Sequence, residues 1–213
     1  MKVKICGITD VNTALAAVQY GADAIGFVFA ESKRKVTVEQ AKEIISALPQ
    51  DVFKVGVFVN ESREEVERIA KVAGLTHIQL HGDESASFSE SISLPVIKAK
   101  SFYNNENLAE CSHYPAEYIL LDSPKGKYRG GNGTVFDWNE VEPSLLKGRK
   151  VILAGGLHAN NVEQAIQVIK PNMVDVSSGV ETDGIKDLVK IREFIEKVKC
   201  LGGKENEHVY ITE

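Results

Sequence analysis

Eight short apolar runs punctuate the 213 residues: VKIC (3–6), AIGFVF (24–29), FKVGVFV (53–59), THIQL (76–80), PVIKA (95–99), YILLD (118–122), KVILA (150–154) and MVDVS (173–177). Each has the length of a buried strand, is rich in β-branched residues, and is bounded by Gly, Pro or polar side chains. They show little polar alternation, so both faces of each strand are covered, as in a parallel sheet. Between the runs lie segments with helical spacing. VNTALAAVQYG (11–21) sets Ala14, Leu15, Ala17 and Val18 on one face and stops at Gly21. VEQAKEIISAL (38–48) offers Val38, Ala41, Ile44, Ile45 and Leu48 before Pro49. Ser62 caps a third helix that has glutamates in its first turn and ends at Gly74. Residues 160–171 and 185–200 repeat the scheme. Residues 84–92, 104–112 and 139–147 read as weaker helices, the last interrupted by Pro143.

A helical crossover returns each strand to the same end of the sheet, so this alternation requires parallel strands. Eight such units closing on themselves predict an α/β fold, a (β/α)8 TIM barrel with a parallel eight-stranded wall. The expected layout is a single catalytic domain over 1–200 and a polar C-terminal tail over 201–213. A doubly wound open sheet shares the alternation, but no Gly-rich dinucleotide fingerprint follows the first run. The chain is short for a barrel, so its loops must be brief, and no room remains for a second barrel.

Hydrophobic residues at 43% can fill such a core, and the net charge of −5 is spread without a basic block, which argues against nucleic acid as a partner. No apolar run is long enough to cross a bilayer, and Lys2 and Lys4 flank single apolar residues where a signal peptide needs an apolar stretch. The reading is a cytoplasmic protein without a membrane partner. Cys6, Cys111 and Cys200 are irregularly spaced and form neither a disulfide framework nor a metal site.

A barrel carries its active site at the carboxyl ends of its strands. Those ends hold Cys6 and Gly7; Ser32, Lys33 and Arg34; Gln79, Leu80, His81 and Gly82; Asp122 and Ser123, before the loop PKGKYRGGNG; Gly155 and Gly156; and Asp175, Ser177, Ser178 and Gly179. Each has an ordinary alternative. Cysteine is among the most buried residue types, though Cys6 stands at a strand end before glycine, whereas Cys111 and Cys200 fall in or beside helices and read as inert. Asp122 closes the run YILL, where an acid is costly unless paired or open to a pocket. His81 could cap a turn, and Arg34 lies in SKRK, where a solvated basic loop is the default. Gly155 and Gly156 after the seventh run, with Ser178 and Gly179 after the eighth, match the two loops where barrels build phosphate sites. A thiol and a carboxyl at one rim suit proton transfers on a small phosphate ester.

Six segments together carry a family resemblance: KICGIT, QLHG (79–82), LLDS (120–123), GGNGTVFDW (130–138), LAGGL (153–157) and DVSSGVE (175–181). In this order, over nearly the whole chain, they resemble the phosphoribosylanthranilate isomerases of tryptophan biosynthesis. The resemblance implies a barrel that converts N-(5-phosphoribosyl)anthranilate to 1-(2-carboxyphenylamino)-1-deoxyribulose 5-phosphate by an Amadori rearrangement, without metal or organic cofactor. It implies Asp122 as the general acid, Cys6 as the general base, and Arg34 at the anthranilate end. Gly155, Gly156, Ser178 and Gly179 match the phosphate cradle, and His81 and Asp175 match pocket residues. The partner implied is this small-molecule substrate; monomer and homodimer both stay open.

A free thiol titrates near ~8.5, so either the site lowers that value or the base works from a minor thiolate fraction. Two positions depart from the family pattern. Lys33 stands where Ser-Pro-Arg is usual, which loosens the expected hold on Arg34, and Asn132 stands where Thr or Ser is usual. Two other readings share part of the pattern. The histidine-pathway aldose isomerases use paired aspartates, which Cys6 opposes, and a barrel that only binds a phosphorylated ligand would not need both Cys6 and Asp122.

Overall fold

Eight parallel strands close into a barrel in chain order in the computed structural model, which describes residues 1–124, 136–146 and 148–207. They are β1 (Lys2–Cys6), β2 (Ala24–Val28), β3 (Phe53–Phe58), β4 (His77–Leu80), β5 (Val96–Ser101), β6 (Tyr118–Asp122), β7 (Lys150–Leu153) and β8 (Met173–Val176). β1 pairs with both β2 and β8, which completes the closure. The helices are α1 (Val11–Gln19), α2 (Val38–Ser46), α3 (Arg63–Ala73), α4 (Ala86–Glu90), α5 (Asn105–Glu110), α6 (Val162–Ile169) and α7 (Leu188–Glu207). A short hairpin of β9 (Glu181–Thr182) and β10 (Ile185–Lys186) follows β8.

Local chemistry sets the helix ends. Asp10 accepts from the Thr13 N–H at the start of α1, and Ser62 from the Glu65 N–H at the start of α3. Thr37 and Gln40 form a reciprocal capping box on α2, a cap that contributes about 1 kcal/mol. Gly74 ends α3 at φ +81°, in the left-handed conformation that glycine adopts without a Cβ clash.

Two expectations are corrected. Leu15 is 41% exposed, and Thr13, Ala14 and Ala17 form the buried face of α1 instead. One residue is about 100° of helix turn, enough to carry Leu15 off that stripe. In place of a helix over 139–147, the chain makes two 3₁₀ turns, Trp138–Glu140 and Pro143–Leu146. Proline opens the second turn, where its missing N–H costs nothing, but it cannot sit inside an α-helix. The loop PKGKYRGGNG from residue 125 onward, Asn132 within it, and residues 208–213 of the expected tail lie outside the described residues.

The period-two geometry of a strand divides the core. Alternate residues such as Val55, Ile97, Leu120, Ile152 and Met173 fill the barrel interior, while their neighbours pack outward against the helices. The amino-terminal end of the barrel is closed by Phe53 stacked on His77, with ring centroids 4.2 Å apart and Lys2 over the Phe53 ring. Burial holds the His77 pKa below its ordinary value, and Lys2 and Lys150 push the same way against Glu117. The unfolded chain therefore takes up this proton first as pH falls through about 6.5, and stability declines until the lower folded value is reached. His77→Phe, which keeps the stack, should flatten this loss between pH 7 and 5 in urea unfolding; an unchanged slope would refute the assignment.

Candidate active site

The inward register that fills the core also fills the carboxyl-terminal mouth. In β1, Lys4 and Cys6 stand two residues apart and so face the same side. Gly26 lies opposite Cys6 on β2, where an added Cβ would sit 2.7 Å from the sulfur; the glycine makes room for the thiol. Gly7 then turns at φ +77°, and the Arg34 side chain lies directly across it: a Cβ there would meet the Arg34 Cδ at 2.5 Å.

Lys4 is fully buried and donates to Asp175 Oδ1 at 2.9 Å, its register partner on β8. Burial works against the Lys4 charge, but Asp175 and Cys6 together hold its pKa above the usual ammonium value. Burial pushes the Cys6 thiol up, and Lys4 pulls against that rise without cancelling it. Cys6 is therefore mostly thiol at neutral pH, and a base at this position draws on a minor thiolate fraction.

Asp122 ends β6 with both carboxyl oxygens engaged. Oδ1 accepts from the Ser123 N–H at 2.8 Å, and Oδ2 faces His81 Nε2 at 3.2 Å. His81 Nδ1 contacts Gln79 Nε2 at 3.0 Å, so the amide orients the imidazole toward the acid. The backbone beyond His81 is clamped by Glu84, which accepts from the N–H groups of Asn60 and Gly82 and from Lys98 at 2.6 Å. Both Lys98 and Glu84 are buried, so the clamp is not screened by solvent.

Loop geometry at β7 and β8 depends on glycine. Gly155 and Gly156 have φ +85° and +63°, and a Cβ on Gly155 would approach the Ser123 nitrogen to 2.5 Å. A Cβ on Gly179 would lie 1.9 Å from the Leu157 carbonyl oxygen, so the two loops touch at this residue. Gly179→Ala must spread them: we expect a rise in KM of about tenfold and a loss of about 1–3 kcal/mol in stability, measured by kinetics and urea unfolding.

Cys6, Arg34, His81, Asp122, Gly155, Gly156, Asp175 and Ser178 all line one cavity of roughly 740 Å³. Gly179 is not on its surface; it acts from behind, through Leu157. The loop carrying Arg34 needs no proline. Ser32 Oγ accepts from the Arg34 N–H, Lys35 N–H bonds the Ser32 carbonyl, and Lys35 bridges to Val28. Arg34 is also not a solvated loop residue: it makes a bidentate ion pair with Glu181.

Residue reading did not single out Lys4, Glu181, Lys186, Glu84 or Lys98. Lys4 carried a usable signal, since a charge two residues before a strand-end cysteine shares its face. Glu181 closes the DVSSGVE segment, but its value depends on a contact with Arg34 147 residues away, and Lys186 carried no signal.

The model of the N-(5'phosphoribosyl)anthranilate (PRA) isomerase family matches residues 3–197. The chain belongs to this family. An N-(5'-phosphoribosyl)anthranilate isomerase of Bacillus cereus (strain G9842) is 56% identical over 201 residues, 93% of this chain and 98% of the relative. Among solved structures, the phosphoribosyl anthranilate isomerase of Thermotoga maritima superposes with a TM-score of 0.86 at 42% identity, covering 94% of this chain and 99% of that one. A phosphoribosyl anthranilate isomerase in complex with reduced 1-(o-carboxyphenylamino)-1-deoxyribulose 5-phosphate superposes with a TM-score of 0.84 at 41% identity, covering 94% and 99%. Membership makes the protein an aldose–ketose isomerase of tryptophan biosynthesis on a TIM barrel.

Proposed function

We propose that Cys6 and Asp122 divide the proton transfers of phosphoribosylanthranilate isomerisation between them. Asp122 gives its proton to the ribose ring oxygen as the C1–O bond breaks, and the anilino nitrogen lone pair forms the C1=N iminium. The Cys6 thiolate takes the C2 proton, and the released electron pair makes the C1=C2 enolamine, which tautomerises to the 2-ketone. Each step is assisted by a proton given or taken, the task that a positioned thiol and carboxyl perform. His81 holds the Asp122 carboxyl in place, and Lys4 offsets the charge that develops on the Cys6 sulfur. Gln79 lines the same cavity, and its buried Oε1 has no hydrogen-bond partner among the described residues. The loops at Gly155, Gly156 and Ser178, spaced by Gly179, offer small residues for the phosphate, and Arg34 meets the anthranilate.

The observation that carries this reading is the convergence of Cys6, Asp122 and Arg34 on one cavity with the two glycine loops. The test is the loss of anthranilate-adduct fluorescence when the purified protein meets phosphoribosylanthranilate, repeated with Cys6→Ser. Turnover by the wild type and its near-abolition in the variant support the assignment; equal rates sink it. No helix among the described residues is long and apolar enough to cross a membrane. Cys6, Cys111 and Cys200 are free thiols, which suits a reducing cytoplasm as the place of action. A relative from Thermotoga maritima is described as dimeric; for this chain, monomer or homodimer is to be settled by light scattering.

A further inference from the structure

Arg34 reaches the cavity already bound to the protein. Its Nε and Nη2 donate to Glu181 Oε1 and Oε2 at 2.6 and 2.7 Å, the side-on edge of the guanidinium. Lys186, across the β9–β10 hairpin, donates to the same Glu181 Oε1 at 2.6 Å and to the Ser177 carbonyl at 2.9 Å. Ser177 Oγ in turn donates to the Cys6 carbonyl at 3.1 Å. The Glu181 carboxylate and the Lys186 amine are both nearly buried, with side chains 6% and 5% exposed. One carboxylate thus joins the loop after β2 to the hairpin after β8, beside the strand that carries the thiol.

We propose that Glu181 is a positioning residue for substrate recognition: it latches Arg34 across Gly7 so that the guanidinium's free end faces the aryl carboxylate. The inference rests on the reading of Arg34 as the residue that meets the anthranilate end. An unheld arginine would surrender rotamer freedom on binding, and the latch removes much of that cost in advance. It also settles which donors remain. With the side-on edge taken, the end-on edge of Nη1 and the second Nη2 hydrogen has no partner among the described residues, and that fork fits a carboxylate bidentately. Charge follows the same logic. Glu181 alone would cancel Arg34, but Lys186 supplies a second cation; burial lowers its pKa, and the hydrogen bond and charge of Glu181 oppose that fall. Hydrogen bonds from Arg34 and Lys186 outweigh burial and hold Glu181 below the usual carboxylate range, which keeps the latch ionised through the neutral range.

The test is a double-mutant cycle on the full chain. Glu181→Gln should raise KM for phosphoribosylanthranilate about tenfold or more while kcat changes by less than about threefold. In an Arg34→Ala background the same substitution should change KM by less than about twofold, since there is no guanidinium left to aim. Where turnover is too slow, titration with the product, 1-(2-carboxyphenylamino)-1-deoxyribulose 5-phosphate, gives the same comparison. Glu181→Gln leaves Lys186 without a counter-charge, so the neutral pair Glu181→Gln/Lys186→Met is carried in parallel and should show the same KM rise if the single variant fails to fold. An unchanged KM in an active protein overturns the latch, as does an equal rise with and without Arg34. A wild type that does not turn over phosphoribosylanthranilate fails the functional reading first, and that outcome is distinct from both.

Discussion

Asp122→Asn should lower kcat by a factor of about 10³ to 10⁴, the upper range for loss of a general acid, with the barrel intact. Asparagine has the size of aspartate, and its carbonyl can still accept from the Ser123 N–H. Its amide can only donate toward His81 and has no proton to give a ring oxygen. Ring opening then depends on water or on the imidazole. The loss should fall on kcat and kcat/KM alike, because the interaction is made only in the transition state. Circular dichroism and urea unfolding would show whether folding survives. If Asp122→Asn retained turnover within about tenfold of the wild type, Asp122 would be a structural strand-end acid and nothing more.

Cys6→Ala should cost about 10²- to 10³-fold in kcat, with a smaller change in stability. Removing the sulfur leaves a small gap beside Gly26, costing about 1 kcal/mol or a few degrees in melting temperature. The pH dependence gives a second signature. Burial raises the thiol above its ordinary value, so the thiolate fraction grows about tenfold per pH unit through the neutral range. The C2 proton transfer, isolated once the ring has opened, should therefore climb with a slope near one between about pH 6 and 8. Lys4→Met removes the cation that opposes this rise, so it should move the limb to higher pH and slow the reaction at pH 7. A C2 proton transfer independent of pH over that interval would mean that another group takes the C2 proton.

Much of this molecule was legible from neighbours in the chain. The eight strand runs, the Asp10, Thr37 and Ser62 starts and the Gly74 stop are local features. A strand's burial is written in its own residues, and a cap needs only the next turn. Leu15 was misread because the stripe of α1 depends on which way the helix rolls against the barrel. The 139–147 segment was misread because Pro143 admits a tight turn but not a helix. Even the rim was readable, since a barrel's connectivity sends every strand end to one face. Cys6 and Asp122 needed only that rule to become candidates, and the family motifs gave them roles.

Other parts had no local signature. The sequence alone could state that a thiol, an acid and two glycine loops share a rim, and that Arg34 sits in a basic loop. Only closure of the barrel put Asp175 on Lys4, 171 residues away, and so set the charge beneath the thiol. Only closure turned Arg34 from one cation among SKRK into one held by Glu181, and only contact between two loops made Gly179 a spacer. The physical reason is range. Hydrophobic period and capping act within a turn or a strand and can be read along the chain. The strength of a buried ion pair depends on which partners the fold brings within about 3 Å and on how completely it excludes water from them.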